Sequence, residues 1–287
     1  MGIITIKNEN LTVDISTRGA EIQSAKCGGK EYFWHGDPAI WAGKAPVLFP
    51  ICGGLKDDKY TLNGKEYTLG KHGFARMMEF SVESAEDDKA VFLLTATEET
   101  KVGFPFDFEF RISYQLDGKS IKVGYDVKNL SGEDMYFSVG GHEGYACPEG
   151  IEEYYLKFEK KEDITHNRLN GNLLTQDVTV LAEDTDELPL KNEYFAVDAI
   201  TMLNLKSRKV SLCHKDTGKK ITVEFAGFDY MFVWTKPDAN PKYICIEPWC
   251  GTPDFEGSSY DIAEKTGISK LSSGDTFNRV HTITIEE

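Results

Sequence analysis

The heptapeptide ICIEPWC, residues 244–250, sets one carboxylate, Glu247, inside an otherwise apolar run. Burying even a neutral polar group without a partner costs roughly 2–7 kcal/mol, and a charge costs more. Something must compensate Glu247. Two readings do so: a core carboxylate satisfied by hydrogen bonds, or a general acid or base whose proton affinity is set by its surroundings. Strand alternation puts Tyr243, Cys245 and Glu247 on one face and Ile244 and Ile246 on the other. Pro248 lacks an N–H and is expected to stop or bend the strand, which would turn the carboxylate toward a cleft.

Two histidines have glycine-rich surroundings, His72 in KHGFAR and His142 in SVGGHEGYACP. Gly73, Gly140 and Gly141 permit close approach of a ligand or side chain, while Phe74, Tyr145 and Trp249 offer flat apolar faces of the kind that stack on a sugar ring. The plainer alternative is a pair of histidines satisfied in turns. His35, His166, His214 and His281 lie in polar or strand contexts without such company and read as structural. No HxH or HExxH pattern suggests a metal, GxSxG is absent, and no GxxxxGK loop could cradle phosphate. Cys27, Cys52, Cys147, Cys213, Cys245 and Cys250 form no CxxC pair or regular framework, and several sit within apolar runs. They read as small buried hydrophobes in a reducing compartment, which places the chain in the cytoplasm.

The formal net charge of -15 argues against nucleic acid and anionic membrane, both of which call for clustered Lys and Arg. A neutral or cationic small molecule fits the charge better. The start, MGIITIKNENL, has no basic segment followed by a long apolar one, and no stretch reaches the roughly 18 apolar residues of a membrane helix. A soluble, unprocessed chain is expected.

The elements that must position these groups are strands. In FPFDFEFRISYQLDGKSIKVGYDVKN, Phe106, Phe108, Phe110, Ile112, Tyr114 and Leu116 alternate with polar residues; after Asp117-Gly118 the alternation resumes at Ile121, Val123, Tyr125 and Val127. That is a hairpin with one buried face. A second hairpin is legible in VSLCHKDTGKKITVEF, and further strands in IITIKN, LTVDIST, KAVFLLTAT and NRVHTITI. Helical periodicity is scarce; LAEDTDEL could supply a turn or two. With 40% hydrophobic residues, no linker and no repeat, the chain reads as an all-β sandwich forming a single domain over 1–287.

As a set, APVLFPICGGLKDDKY, KHGFARMMEF, SVGGHEGYACP, YFAVDAITMLNLKSRKVSL and CIEPWCG resemble the aldose 1-epimerase (galactose mutarotase) family, in its LacX-like branch, over nearly the whole chain. The resemblance implies a galactose mutarotase-like β-supersandwich that interconverts the α and β anomers of a free aldose without a cofactor. A monomer or homodimer is expected. It carries the catalytic base onto Glu247 and the acid onto His142. Substrate binding falls to His72 and to Asp198 in the VDAI stretch; Arg76, Phe74 and Trp249 are further candidates for the pocket.

Two positions depart from the family pattern. Gly54 stands where an arginine often follows the first glycine, and Glu143 where a proline often follows the acid histidine. If position 54 faces the sugar, the missing guanidinium implies weak binding. Competing functions are a noncatalytic sugar-binding or regulatory protein, a hexose-6-phosphate mutarotase, which would call for extra basic residues around the pocket, and a glycoside hydrolase, which would need Asp198 or Glu143 as a second carboxylate.

Overall fold

A computed structural model describes residues 2–238 and 240–286 of the chain. Its largest element is a nine-stranded antiparallel sheet whose order across the sheet is Leu173–Pro189, Tyr154–Asn170, Lys209–His214, Lys220–Glu224, Thr276–Glu286, Ser120–Asn129, Phe108–Asp117, Lys89–Thr95 and Ser81–Ala85. The two expected hairpins form: Asp117 pairs with Ser120 around a two-residue loop, and Lys209–His214 pairs with Lys220–Glu224. Phe110, Ile112, Tyr114, Ile121, Val123 and Tyr125 are all buried, as their alternation requires.

Facing this sheet is a smaller one ordered Ile200–Met202, Tyr230–Trp234, Tyr243–Cys250, Val139–Gly141 and Val47–Leu48, with Glu143–Ala146 also paired to Tyr243–Cys250. One continuous apolar core joins the two sheets and takes in Phe110 and Ile112 from the first and Ile244 and Ile246 from the second. Phe49, stacked on Phe110 with ring centres 4.4 Å apart, ties the loop after Val47–Leu48 into that core. The short strands Ile3–Lys7, Leu11–Ser16, Ile22–Cys27 and Lys30–Glu31 form a separate four-stranded sheet.

Two local expectations are corrected. LAEDTDEL lies within the strand Leu173–Pro189 rather than in a helical turn, because its partner Tyr154–Asn170 supplies a ladder that outweighs a weak helical preference. Pro248 does not end its strand, which runs on to Cys250, because a proline removes only its own N–H from the ladder. Among the described residues no helix is long and apolar enough to cross a membrane.

Candidate active site

The face assignment for the 243–250 strand holds. Ile244 and Ile246 enter the main core, whereas Tyr243 and Cys245 pack with Trp34 on the other side. Glu247 shares that second face and is 1% exposed. Its neighbours follow from register. Val139–Gly141 pairs through Gly140 with Trp249, and Glu143–Ala146 pairs through Glu143 with Ile246. Both pairings belong to one register, so His142, in the gap between the two strands, stands opposite Glu247, and Gly141 stands opposite Pro248. The Gly141 carbonyl, which Pro248 cannot serve, accepts from the Trp249 indole Nε1 at 3.0 Å. Cross-strand partners project from the same face, and His142 Nε2 lies 3.4 Å from Glu247 Oε2. On the other flank Glu247 pairs with Phe232.

This row forms the floor of a cavity of about 390 Å³, within the usual size range of small-molecule sites. His72, Arg76, Asp198 and Trp249 also line it, so six of the seven expected site residues converge there. Phe74 does not. Its half-buried ring packs against the core, 6.1 and 6.2 Å from Phe49 and Phe108, because the left-handed backbone at His72 and Gly73 turns the chain between the two side chains. Tyr145, also considered for stacking, is sealed against Phe33. The aromatic walls are instead Trp41 and Trp234, whose rings lie 5.3 and 5.6 Å from that of His142, together with Phe232 stacked on Trp249 at 3.8 Å. None of His35, His166, His214 and His281 lines the cavity.

His72 is held rigidly. Its φ is +68°, its N–H donates to the Gly53 carbonyl at 2.8 Å, and its Nδ1 accepts from the Gly53 N–H at 3.1 Å. An accepting Nδ1 leaves Nε2 to carry the ring proton, and burial, reinforced by His142, Lys71 and Arg76, holds the pKa well below the usual imidazole range. His72 is therefore a neutral donor. Gly73 is required beside it: at φ +66°, a Cβ would come within 2.4 Å of the Phe49 carbonyl oxygen.

Burial likewise lowers His142 to about 3, with Lys71 and Arg76 acting in the same direction. Glu247 moves the other way, raised well above its ordinary 4.5 by burial first and by Asp198 second, while Lys71 opposes the rise. Across 3.4 Å the two groups share their protons as a pair. The state with Glu247 protonated and His142 neutral is the one burial favours. Asp198 at the rim meets Lys71 at 3.6 Å. Arg76 donates from Nη2 to the Lys71 carbonyl at 3.0 Å, and its buried Nε has no hydrogen-bond partner.

His142, Cys245 and Glu247 bring a nitrogen, a sulfur and an oxygen within 4.8 Å of one another, a set invisible to motif spacing because it spans separate strands. Burial and the nearby Glu247 raise the Cys245 thiol well above its ordinary pKa, which keeps it protonated and a poor metal ligand. Glu143, the residue beside His142, points into the core and lines no part of the cavity. It is removed as the second carboxylate of a hydrolase.

An antiparallel β-sandwich with a buried histidine and a buried carboxylate in register at the floor of an aromatic-walled pocket is an architecture of the galactose mutarotase-like class. Residues 2–256 match the aldose 1-epimerase family, and the chain belongs to it. It is similar to the chromosomal LacX protein of Lactococcus lactis subsp. lactis, at 34% identity over 98% of this chain and 99% of that one. It also resembles the solved structure of a galactose mutarotase related enzyme from Lactobacillus acidophilus, at 35% identity with a TM-score of 0.95, covering 100% of this chain and 98% of the other. A galactose mutarotase-like protein from Lactobacillus casei ATCC 334 superposes with a TM-score of 0.93 at 29% identity, covering 99% and 100%.

Proposed function

We propose that the protein is an aldose 1-epimerase in which Glu247 is the base and His142 the acid. The observation that carries this reading is their cross-strand pairing, 3.4 Å apart, on the floor of the cavity. The hydroxyl oxygen at C1 and the ring oxygen are bonded to one carbon, so a base and an acid that close together can reach both. Ring opening moves the C1 hydroxyl proton to Glu247 while His142 delivers a proton to the ring oxygen. The working pair thus begins as carboxylate and imidazolium and ends as carboxylic acid and neutral imidazole. That end state is the one burial favours, so opening the ring discharges a costly pair of buried charges. Rotation about C1–C2 and closure from the other face return both protons. His72 Nε2–H and Asp198 are suited to the sugar hydroxyls, Trp249 packs beside the ring, and Arg76 supplies a guanidinium. No cofactor is needed for a reaction that moves only protons.

Polarimetry on freshly dissolved α-aldoses tests the reading. Mutarotation of at least one of glucose, galactose, xylose and arabinose should run faster than in buffer alone. Binding of these sugars without acceleration would instead identify a noncatalytic sugar-binding protein.

Lys71 and Arg76 in the cavity lining favour one second reading, a substrate bearing a phosphate at C6. Comparing kcat/KM for glucose and glucose 6-phosphate separates the two.

A further inference from the structure

We propose that Asn172 is a specificity-determining residue of this pocket, reading a hydroxyl on the edge of the sugar ring opposite the anomeric carbon, and that position 54 is glycine so that Asn172 can sit there. The inference rests on the sugar-site reading above and adds to it the residue that chooses among aldoses.

Asn172 lies in the turn between Tyr154–Asn170 and Leu173–Pro189, the longest hairpin of the chain, and is exposed where that turn lines the cavity. Glu247 and His142 are at the buried floor. A pyranose with C1 and its ring oxygen against them directs its opposite edge, C3 and C4, toward the mouth. Asn172 carries both a donor and an acceptor there, and its amide makes no hydrogen bond to any other described residue.

The turn is fixed in place. The Leu174 N–H donates to the Asp254 carbonyl at 2.8 Å, the Glu256 N–H to the Leu174 carbonyl at 2.9 Å, and Asn170 Nδ2 to Glu256 Oε1 at 2.7 Å. Asp254 is itself held by a buried ion pair with Lys265 at 2.6 Å, and its N–H donates to the Gly54 carbonyl at 2.9 Å. Gly54 therefore touches the anchor of the hairpin tip. Its φ lies outside the left-handed region, so no backbone conformation demands glycine. Space does: a Cβ at position 54 would fall 2.7 Å from the Asn172 Cβ and 3.0 Å from its carbonyl oxygen. An arginine at 54 and this placement of Asn172 exclude one another. The expectation that Gly54 merely leaves a contact missing is thus revised, since the space it vacates is taken by a different polar side chain.

The test is a steady-state comparison of Asn172→Ala and Gly54→Ala with the parent protein on glucose and its C2, C3 and C4 epimers, mannose, allose and galactose. One neutral hydrogen bond corresponds to about three- to tenfold in binding. Asn172→Ala should raise KM by that factor for the sugars whose far-edge hydroxyl it meets, alter the ranking among the C3 and C4 epimers, and leave the C2 comparison and kcat within about twofold. Gly54→Ala should give the same pattern, and the double variant should be no worse than the worse single, because both changes remove one contact. A uniform KM change across all four sugars, or none, overturns the proposal. Calorimetric binding of 1,5-anhydroglucitol, which keeps the ring hydroxyls but has no anomeric one, gives a readout independent of turnover. Weaker binding to Asn172→Ala supports the assignment even if no sugar is epimerised, and unchanged binding counts against it even if all are. Asn172 is exposed, so its alanine variant keeps the test open should Gly54→Ala fold poorly.

Discussion

Glu143 Oε1 lies 3.1 Å from His281 Nε2 on the core side of the smaller sheet, and both side chains are sealed from solvent. The contact is close enough for an ion pair yet poorly aligned for a hydrogen bond, and the Tyr125 and Tyr145 hydroxyls are buried there without partners. Strand alternation explains the arrangement: His142 projects to the cavity, so Glu143 must project to the core. Breaking a buried pair by removing one partner strands the other. Glu143→Ala should therefore lower unfolding stability by about 1–3 kcal/mol, the cost of a buried polar group left without its partner, whereas replacing both residues with leucine should restore much of the loss. Urea unfolding measures both. A Glu143→Ala protein that keeps its stability but loses a hundredfold in kcat would place Glu143 in the chemistry instead.

Glu247→Gln and His142→Ala should each reduce kcat by about 10²- to 10⁴-fold, the usual contribution of a general acid or base. Stability should separate catalysis from architecture. Glu247 has a folded-state pKa raised above its unfolded value, so its favourable contribution is complete below about pH 4.5 and is lost as pH rises through the raised value. Above that window Glu247→Gln should match or exceed the parent in thermal stability. A Gln variant that unfolds more readily at neutral pH would make Glu247 a structural carboxylate.

The strands were legible in the sequence because alternation reports burial directly, and the two faces of YICIE followed from the same rule. What periodicity could not supply was register between distant strands. His142 and Glu247 are 105 positions apart, and nothing local in SVGGHEGYACP or ICIEPWC fixes that they stand opposite. Family resemblance, not spacing, brought them together. Phe74 was misplaced because HGFAR places it only two residues after His72, and the left-handed backbone at His72 and Gly73 breaks any simple face rule. Trp41 and Asn172 lie in GDPAIWAGK and in an Asn-Gly-Asn turn, where no pattern distinguishes a pocket wall from a surface loop. Asn172 becomes legible only once Gly54 is seen to lie against it.

His72 offers a test of fixed geometry. As a neutral donor set by Gly53 it should contribute comparably to ground and transition states, so His72→Ala should raise KM about tenfold with a smaller change in kcat. Gly73→Ala attacks the same geometry from the backbone. A Cβ only 2.4 Å from the Phe49 carbonyl, at positive φ, should lower the melting temperature without touching any sugar contact directly. A larger loss in kcat than in KM for His72→Ala would move this histidine into the proton-transfer steps.

The pH profile carries the most specific prediction. The proposed ring opening requires one proton on the Glu247–His142 pair: two leave no base, and none leaves no acid. The second proton is gained only near pH 3, where burial has moved His142. The first is lost through the raised titration of Glu247, which sets the basic limb of kcat/KM. Burial is the main cause of that rise and is common to every pocket variant, but three charged neighbours also act on Glu247. Asp198 and Glu143 raise it and Lys71 lowers it. Asp198→Asn removes a like charge, so the basic limb should move to lower pH; Lys71→Met removes an opposite charge, so the limb should move to higher pH. The residues themselves are ion-paired at 3.6 Å at the rim, where salt screens them, and the shifts should shrink as ionic strength rises. Each substitution also changes sugar binding, which scales the whole profile without relocating its limb. Rates at low salt across the accessible pH range for both variants therefore decide the matter. Limbs that move in the same direction, or stay in place, would show that the proton lost at high pH does not belong to the Glu247–His142 pair.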